Sequence, residues 1–238
     1  MKPIIYIENG TYSYDIGDHE SWRININDFK IYPRTIILVQ GNNMSGKSTF
    51  LNILSGMLFD KNYRGDFIIN GIQANDNQSI RNLSTLISNS DAMFPELSIW
   101  ENIQIAIPPK KQVNLAEKKD KCALLIKNSD IFDKKDINMP LGDFSTGAKS
   151  FVKLCRAYAA STDIVIIDEL TSYLDDIRAY YFLDTILELV KCDSAVVLVS
   201  HSMRDRMYIK EQMLNLSAEV TCVNIVRASN SSTLSYEK

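Results

Sequence analysis

The segment Gly41-Asn42-Asn43-Met44-Ser45-Gly46-Lys47-Ser48-Thr49 fits the pattern G-x-x-x-x-G-K-[ST], in which backbone N–H groups wrap the phosphates of a nucleotide. Gly41 and Gly46 permit the tight turn, Lys47 reaches the β and γ phosphates, and Ser48 offers a hydroxyl to Mg²⁺. The pattern predicts binding of ATP or GTP. Further along, Ile164-Val165-Ile166-Ile167 runs into Asp168 and Glu169. Paired carboxylates at the end of a buried strand are costly unless they face a cleft and a cation. That assigns Asp168 to the metal shell and Glu169 to the attacking water, although an ordinary strand end has the same look. His201 follows Ser200 at the tip of the next apolar strand, where an imidazole can meet a γ-phosphate. Ser145, Thr146 and Gly147 open a helix and form either a plain N-cap or a second anion site. Two helix N-termini of one chain do not easily enclose one triphosphate from opposite sides, whereas those of two chains can.

Elements of the right kind flank these residues. Ile36-Ile37-Leu38-Val39 reads as a strand buried on both faces, and Phe50, Leu51, Ile53 and Leu54 form one side of a helix that Gly56 would end. Strand, loop and helix thus come in the order that aims a helix N-terminus at the phosphates. Ile4 to Ile7, the alternating Trp22, Ile24 and Ile26, and Gly65 to Gly71 read as further strands. From about 96 to 160 the pattern turns helical, with Asn114 and Glu117 spaced as a capping box. Apolar strands return at 164–167 and 195–199 around a helix-like 176–191. The fold class is therefore α/β, a parallel sheet interrupted by a helical insert. Residues 228–238 are polar and are expected to be loose.

The 238 residues suffice for one sizeable core, and 45% hydrophobic with 23% charged residues is ordinary for a globular protein. A net charge of −3 without a long basic run argues against nucleic acid as a partner. Cys122, Cys155, Cys192 and Cys222 lie far apart, without C-x-x-C spacing, and read as reduced thiols. No leader is evident, and no apolar stretch approaches the roughly 20 residues that cross a bilayer. A cytoplasmic chain is expected.

Taken together, these motifs resemble those of the ATP-binding cassette (ABC) ATPases, most closely the nucleotide-binding subunits of ABC transporters. Gly41 to Thr49 is similar to Walker A, Ile164 to Glu169 to Walker B, and Phe144 to Ala148 to the signature LSGGQ. Ser172 to Asp175 resembles the D-loop and His201 the switch histidine, while Ser13-Tyr14-Asp15 resembles the adenine-stacking loop, with Tyr14 ahead of Tyr12. Asn89 to Asn102 is similar to the Q-loop segment that contacts the membrane subunit in transporters. The resemblance implies a P-loop NTPase (RecA-like) core with an N-terminal antiparallel β subdomain, the core spanning about 1–88 and 162–227 and an inserted helical subdomain about 89–161. It implies ATP and Mg²⁺ as cofactors, held by Tyr14, Gly41 to Thr49 and, from a second subunit, Ser145, Thr146, Gly147 and Asp175. Ser48, Asp168 and Asn89 would serve the metal. Lys47, Glu169, His201 and Asn89 would serve hydrolysis, Glu169 as general base. The implied partners are a second ABC subunit and multi-span permease subunits, which would place the chain on the cytoplasmic face of a membrane.

Four positions depart from the family pattern: Asn89 stands for Gln, Thr146 for the first signature glycine, Leu170 for proline, and Met44 for a glycine. Met44 and Leu170 also suit MutS-like ATPases, but the 127 residues from Gly41 to Asp168 leave room for the helical subdomain that MutS lacks. A dimerisation switch without transport is the other alternative. Beyond His201 the resemblance fades, with no evident closing strand, and export is preferred to import for want of a large C-terminal regulatory domain.

Overall fold

The computed structural model describes residues 1–14, 22–108, 114–132, 136–142, 144–216 and 218–236. Its elements are β1 (Ile5–Ser13), β2 (Arg23–Ile26), β3 (Phe29–Ile31), β4 (Ile36–Gln40), α1 (Lys47–Leu54), β5 (Tyr63–Ile69), β6 (Ile72–Gln73), α2 (Asn77–Leu83) and β7 (Ser84–Ser88). There follow α3 (Ile99–Gln104), α4 (Leu115–Asn128), α5 (Thr146–Ala160), β8 (Ile164–Asp168), α6 (Asp176–Lys191), β9 (Ala195–Val199), α7 (Met203–Asn215), β10 (Val220–Arg227) and β11 (Ser231–Tyr236).

Five strands, in the order β10-β4-β9-β8-β7, form a parallel sheet. Their unbroken apolar runs follow from burial on both faces. In β4, Ile36 and Leu38 join the core that contains α3, α5 and α6, while Ile37 and Val39 join the core that contains α1 and the N-terminal strands. The same alternation divides Val165 and Ile167 from Ile164 and Ile166 in β8. Side chains of successive strand residues point to opposite faces, so helices must cover both. The N-terminal strands pair antiparallel, with β1 between β2, β3 and β5.

Among the described residues, the elements between 89 and 161 are α3, α4 and α5. Helix α3 starts with a capping box, Ser98 accepting from the Glu101 N–H and Glu101 from the Ser98 N–H. Asn114 caps α4 by accepting from the Glu117 N–H.

Two expectations about the C-terminal end need correction. The supposedly loose tail contains β11, which runs antiparallel to β10 and parallel to β2. Its composition is polar, but period two buries Ser232 and Leu234 while Thr233 stays exposed. The closing strand not evident in the sequence beyond His201 is β10, and the turn after it is Ala228-Ser229-Asn230.

Candidate functional site

The loop after β4 folds around its own glycines. Gly46 has φ +101, and a Cβ there would lie 2.7 Å from the ring of Trp22, so only glycine fits without strain. Gly46 is also the N-cap of α1 and offers no side-chain cap, which leaves the first-turn N–H groups free for an anion. Lys47 is buried, and its Nζ donates to the carbonyls of Gly41 at 2.9 Å and Asn42 at 3.1 Å. The Ser45 hydroxyl is buried and has no partner among the described residues. Met44 adopts φ +61 and is 79% exposed, a left-handed backbone that explains why glycine suits this position.

A cavity of about 420 Å³ opens over the loop, lined by Tyr14, Trp22, Asn43, Met44, Gly46, Lys47, Ser48, Thr49, Glu169 and Arg227. Tyr14 shares a hydrogen bond of 3.2 Å with the Thr49 hydroxyl, and its ring is tilted against Trp22 with centroids 5.9 Å apart. Tyr12 is buried, its hydroxyl turned to Asp60, so its ring faces the core rather than the cavity. Asp15 lies outside the described residues. Gly41, Asn42 and His201 line an adjoining cavity of about 480 Å³, and Arg227 lines both.

Asp168 ends β8 opposite Val199 of β9. Burial, followed by the charge of Glu169, pushes its carboxyl above the ordinary aspartate range, against the pull of Lys47 and His201. Such a carboxylate is short of positive charge. Glu169 follows with φ +54, and its Oε1 lies 2.9 Å from His201 Nε2. Asn89 Nδ2 donates to the Glu169 carbonyl at 3.1 Å. The structure thus gathers Lys47, Ser48, Asp168, Glu169, His201 and Asn89 at the carboxyl ends of β4, β7, β8 and β9, where open α/β sheets bind ligands.

Ser145, Thr146, Gly147 and Asp175 line neither cavity. Ser145 N-caps α5 through the Ala148 N–H, and Asp175 N-caps α6 through the Arg178 N–H. Gly147 packs against Leu174, which a Cβ would meet at 2.6 Å. Trp22 and Arg227 were missed as site residues. Trp22 had read as one more apolar residue of an alternating strand, and no local signal pointed to Arg227.

The profile of the ABC transporter family matches residues 24–172. The chain belongs to the ABC transporter family. It is 32% identical over 210 residues to ABC transporter A family member 4 of Dictyostelium discoideum, an alignment covering 86% of this chain and 12% of that protein. It is 30% identical over 209 residues to the lipoprotein-releasing system ATP-binding protein LolD of Buchnera aphidicola subsp. Schizaphis graminum, covering 84% of this chain and 89% of LolD. Of ABC transporter G family member 6 of Dictyostelium discoideum the chain spans 13%. A dimeric, post-hydrolysis structure of the ATP-binding cassette MJ0796 bound to ADP and Pi matches with a TM-score of 0.71 at 20% identity, covering 98% of each chain. The fold is the P-loop cassette fold of the matched structure, and the family profile identifies a cassette of the ABC transporter family. Family membership favours the transporter reading over the MutS-like one. No helix among the described residues is long and apolar enough to cross a membrane.

Proposed function

We propose that this chain binds and hydrolyses ATP with Mg²⁺ as one of two cassettes that close head to tail, and that closure drives a membrane permease. One observation carries the hydrolytic part: Glu169 and His201 meet at 2.9 Å at the ends of adjacent strands, with Glu169 lining the cavity over Lys47. The loop's free N–H groups and Lys47 would hold the phosphates, Lys47 exchanging its two carbonyl partners for phosphate oxygens. Tyr14 and Trp22 would flank the base.

The residues present fit the metal. The described residues hold no cluster of three or more His, Cys, Asp or Glu side chains that would cage an ion. Asp168 feels the charge of Lys47, the neighbour of Ser48 in the loop, and a carboxylate with a hydroxyl would be the sparse oxygen set on which Mg²⁺ sits when phosphates and water complete its shell. Bound there, Mg²⁺ would neutralise charge on the phosphate oxygens. Glu169 would take the proton of the attacking water, and His201 would hold the γ-phosphate side of Glu169 in place.

The position of Ser145, Thr146 and Gly147 outside both cavities supports the two-chain reading, since these residues would then face the nucleotide of a second cassette. The resemblance of Asn89 to Asn102 to the permease-contacting segment, and the 89% of LolD that the chain covers, support coupling to a permease. Relatives carry names of both release and import, including the ribose import ATP-binding protein RbsA of Bacillus subtilis (strain 168), so the proposal extends to coupling and leaves direction open. Glu169→Gln should lower Mg²⁺-dependent turnover by roughly 10²–10⁴-fold while ATP-dependent dimers accumulate. Parental turnover in that variant would refute the assignment.

A further inference from the structure

Asp205 has no exposed surface, and nothing in the proposed reaction uses it. A carboxylate is taken out of water at acceptable cost only when its lone pairs are met, and here named groups meet them. Oδ2 accepts from the Thr171 hydroxyl at 2.5 Å and from the Ser200 hydroxyl at 2.7 Å. Oδ1 accepts from Arg204 Nε at 2.9 Å, and a second Arg204 nitrogen lies 2.9 Å from it. Arg204 in turn pairs with Asp176 in the first turn of α6.

The two hydroxyls have a revealing location. Thr171 stands two residues after Glu169, and Ser200 stands immediately before His201. Both are buried. A single carboxylate oxygen therefore fastens the loop that leaves β8 to the loop that leaves β9, the two segments that bring Glu169 and His201 within 2.9 Å. Beside it, the Glu169 N–H donates to the Val199 carbonyl at 3.2 Å. Glu169 itself has a left-handed φ of +54, a conformation that persists only where surrounding contacts enforce it.

We propose that Asp205 is the positioning residue of the Glu169–His201 pair, holding both loops in one register through Thr171 and Ser200. The inference rests on the reading that Glu169 and His201 serve ATP hydrolysis. Asp205 lines neither cavity. Its loss should therefore act on kcat and spare the KM for ATP. A purely structural role also exists for an acidic residue in the first turn of a helix, where it complements the helix dipole of α7, so the test must separate the two.

Ser202 supplies the control. Its hydroxyl caps α7 by accepting from the Asp205 N–H, so Ser202→Ala weakens the same helix end without touching the carboxylate's ties to Thr171 and Ser200. Steady-state Mg²⁺-ATP turnover of the full chain is measured for Asp205→Asn, Thr171→Val, Ser202→Ala and Glu169→Gln, each well below its own Tm. Asp205→Asn should lower kcat by about 10²-fold, and Thr171→Val by roughly 10-fold, as small misplacements of catalytic groups do. Both should keep the KM for ATP within about 3-fold, and Ser202→Ala should keep kcat within the same factor. Parental kcat in Asp205→Asn and Thr171→Val, or an equal loss in Ser202→Ala, overturns the proposal. If Asp205→Asn does not fold, Thr171→Val decides, because it removes one tie and keeps the side-chain volume. Full turnover in Glu169→Gln would bring down the hydrolytic assignment and this inference with it. An inactive Glu169→Gln beside a fully active Asp205→Asn would bring down the inference alone.

Discussion

Asn102→Ala tests how the loop before α3 is held. Asn102 is completely buried, and its side chain makes five hydrogen bonds. Nδ2 donates to the carbonyls of Phe94, Leu97 and Ser98 at 2.9, 3.2 and 3.0 Å, while Oδ1 accepts from the Phe94 N–H at 2.9 Å and from Arg156 at 3.2 Å. At about 1 kcal/mol for each neutral bond and about 2 for the one to arginine, the gross loss is about 6 kcal/mol. Water recovers part of it, because Phe94 and its neighbours Pro95 and Glu96 are exposed. Arg156 also keeps its bonds to the carbonyls of Asn102 and Ala92, both at 2.8 Å. A net destabilisation of about 3–4 kcal/mol remains, which for a chain of this size lowers Tm by roughly 6–16 °C. Thermal and urea denaturation measure it. Asn102 lines neither cavity, so Mg²⁺-ATPase activity at low temperature should stay near the parental value. Permease-coupled turnover should fall further, since residues 94–98 belong to the segment proposed to contact the permease. A loss below about 1 kcal/mol would show that the five bonds are replaced by water at no net cost, and would refute the reasoning.

Met44→Gly should relieve roughly 1–2 kcal/mol of left-handed strain at φ +61, offset by about 0.5–1 kcal/mol from the freer unfolded chain. The variant should be between equally stable and about 1.5 kcal/mol more stable by urea denaturation; a clear destabilisation would mean that the exposed Met44 side chain contributes contacts of its own. Asp168→Asn should stabilise the nucleotide-free chain at pH 7 while abolishing Mg²⁺-dependent turnover. The native carboxyl titrates above its ordinary value, so both states are protonated at low pH, and the folding penalty builds up as pH rises from the ordinary aspartate value to the raised native pKa, above which it is complete. The stability advantage of the variant should therefore be present at pH 7 and vanish near pH 3, about the ordinary aspartate range; an advantage independent of pH would contradict burial as the cause.

Residues that repeat a local pattern were legible from sequence alone. The two-faced runs of β4, β8 and β9 read as strands covered on both sides, Asp176–Lys191 was read at its observed bounds, and the helix after Ser145 was read from its start. Strand β7, Ser84-Thr85-Leu86-Ile87-Ser88, was hidden by its polar ends; at the end of the ladder of described strands, paired with β8, it needs less apolar surface than a central strand. Strand β11 was hidden in the same way. Trp22 and Arg227, about as far apart in sequence as the chain allows, reach one cavity only because β2, β11 and β10 lie side by side. Asp205 was illegible for another reason. A charged residue near a helix start reads as solvent-facing, and nothing local shows that Thr171 and Ser200 will close over it.

The strand order gives β11 a mechanical consequence. The path of hydrogen-bonded strands from the N-terminal arm into the parallel sheet runs from β2 through β11 to β10. Tyr14 and Trp22, at the ends of β1 and β2, are therefore tied to the Gly41 to Thr49 loop after β4 through a ladder that includes β11. A substitution that unzips β11 would part the two walls of the proposed nucleotide site while the ladder β10-β4-β9-β8-β7 stays paired.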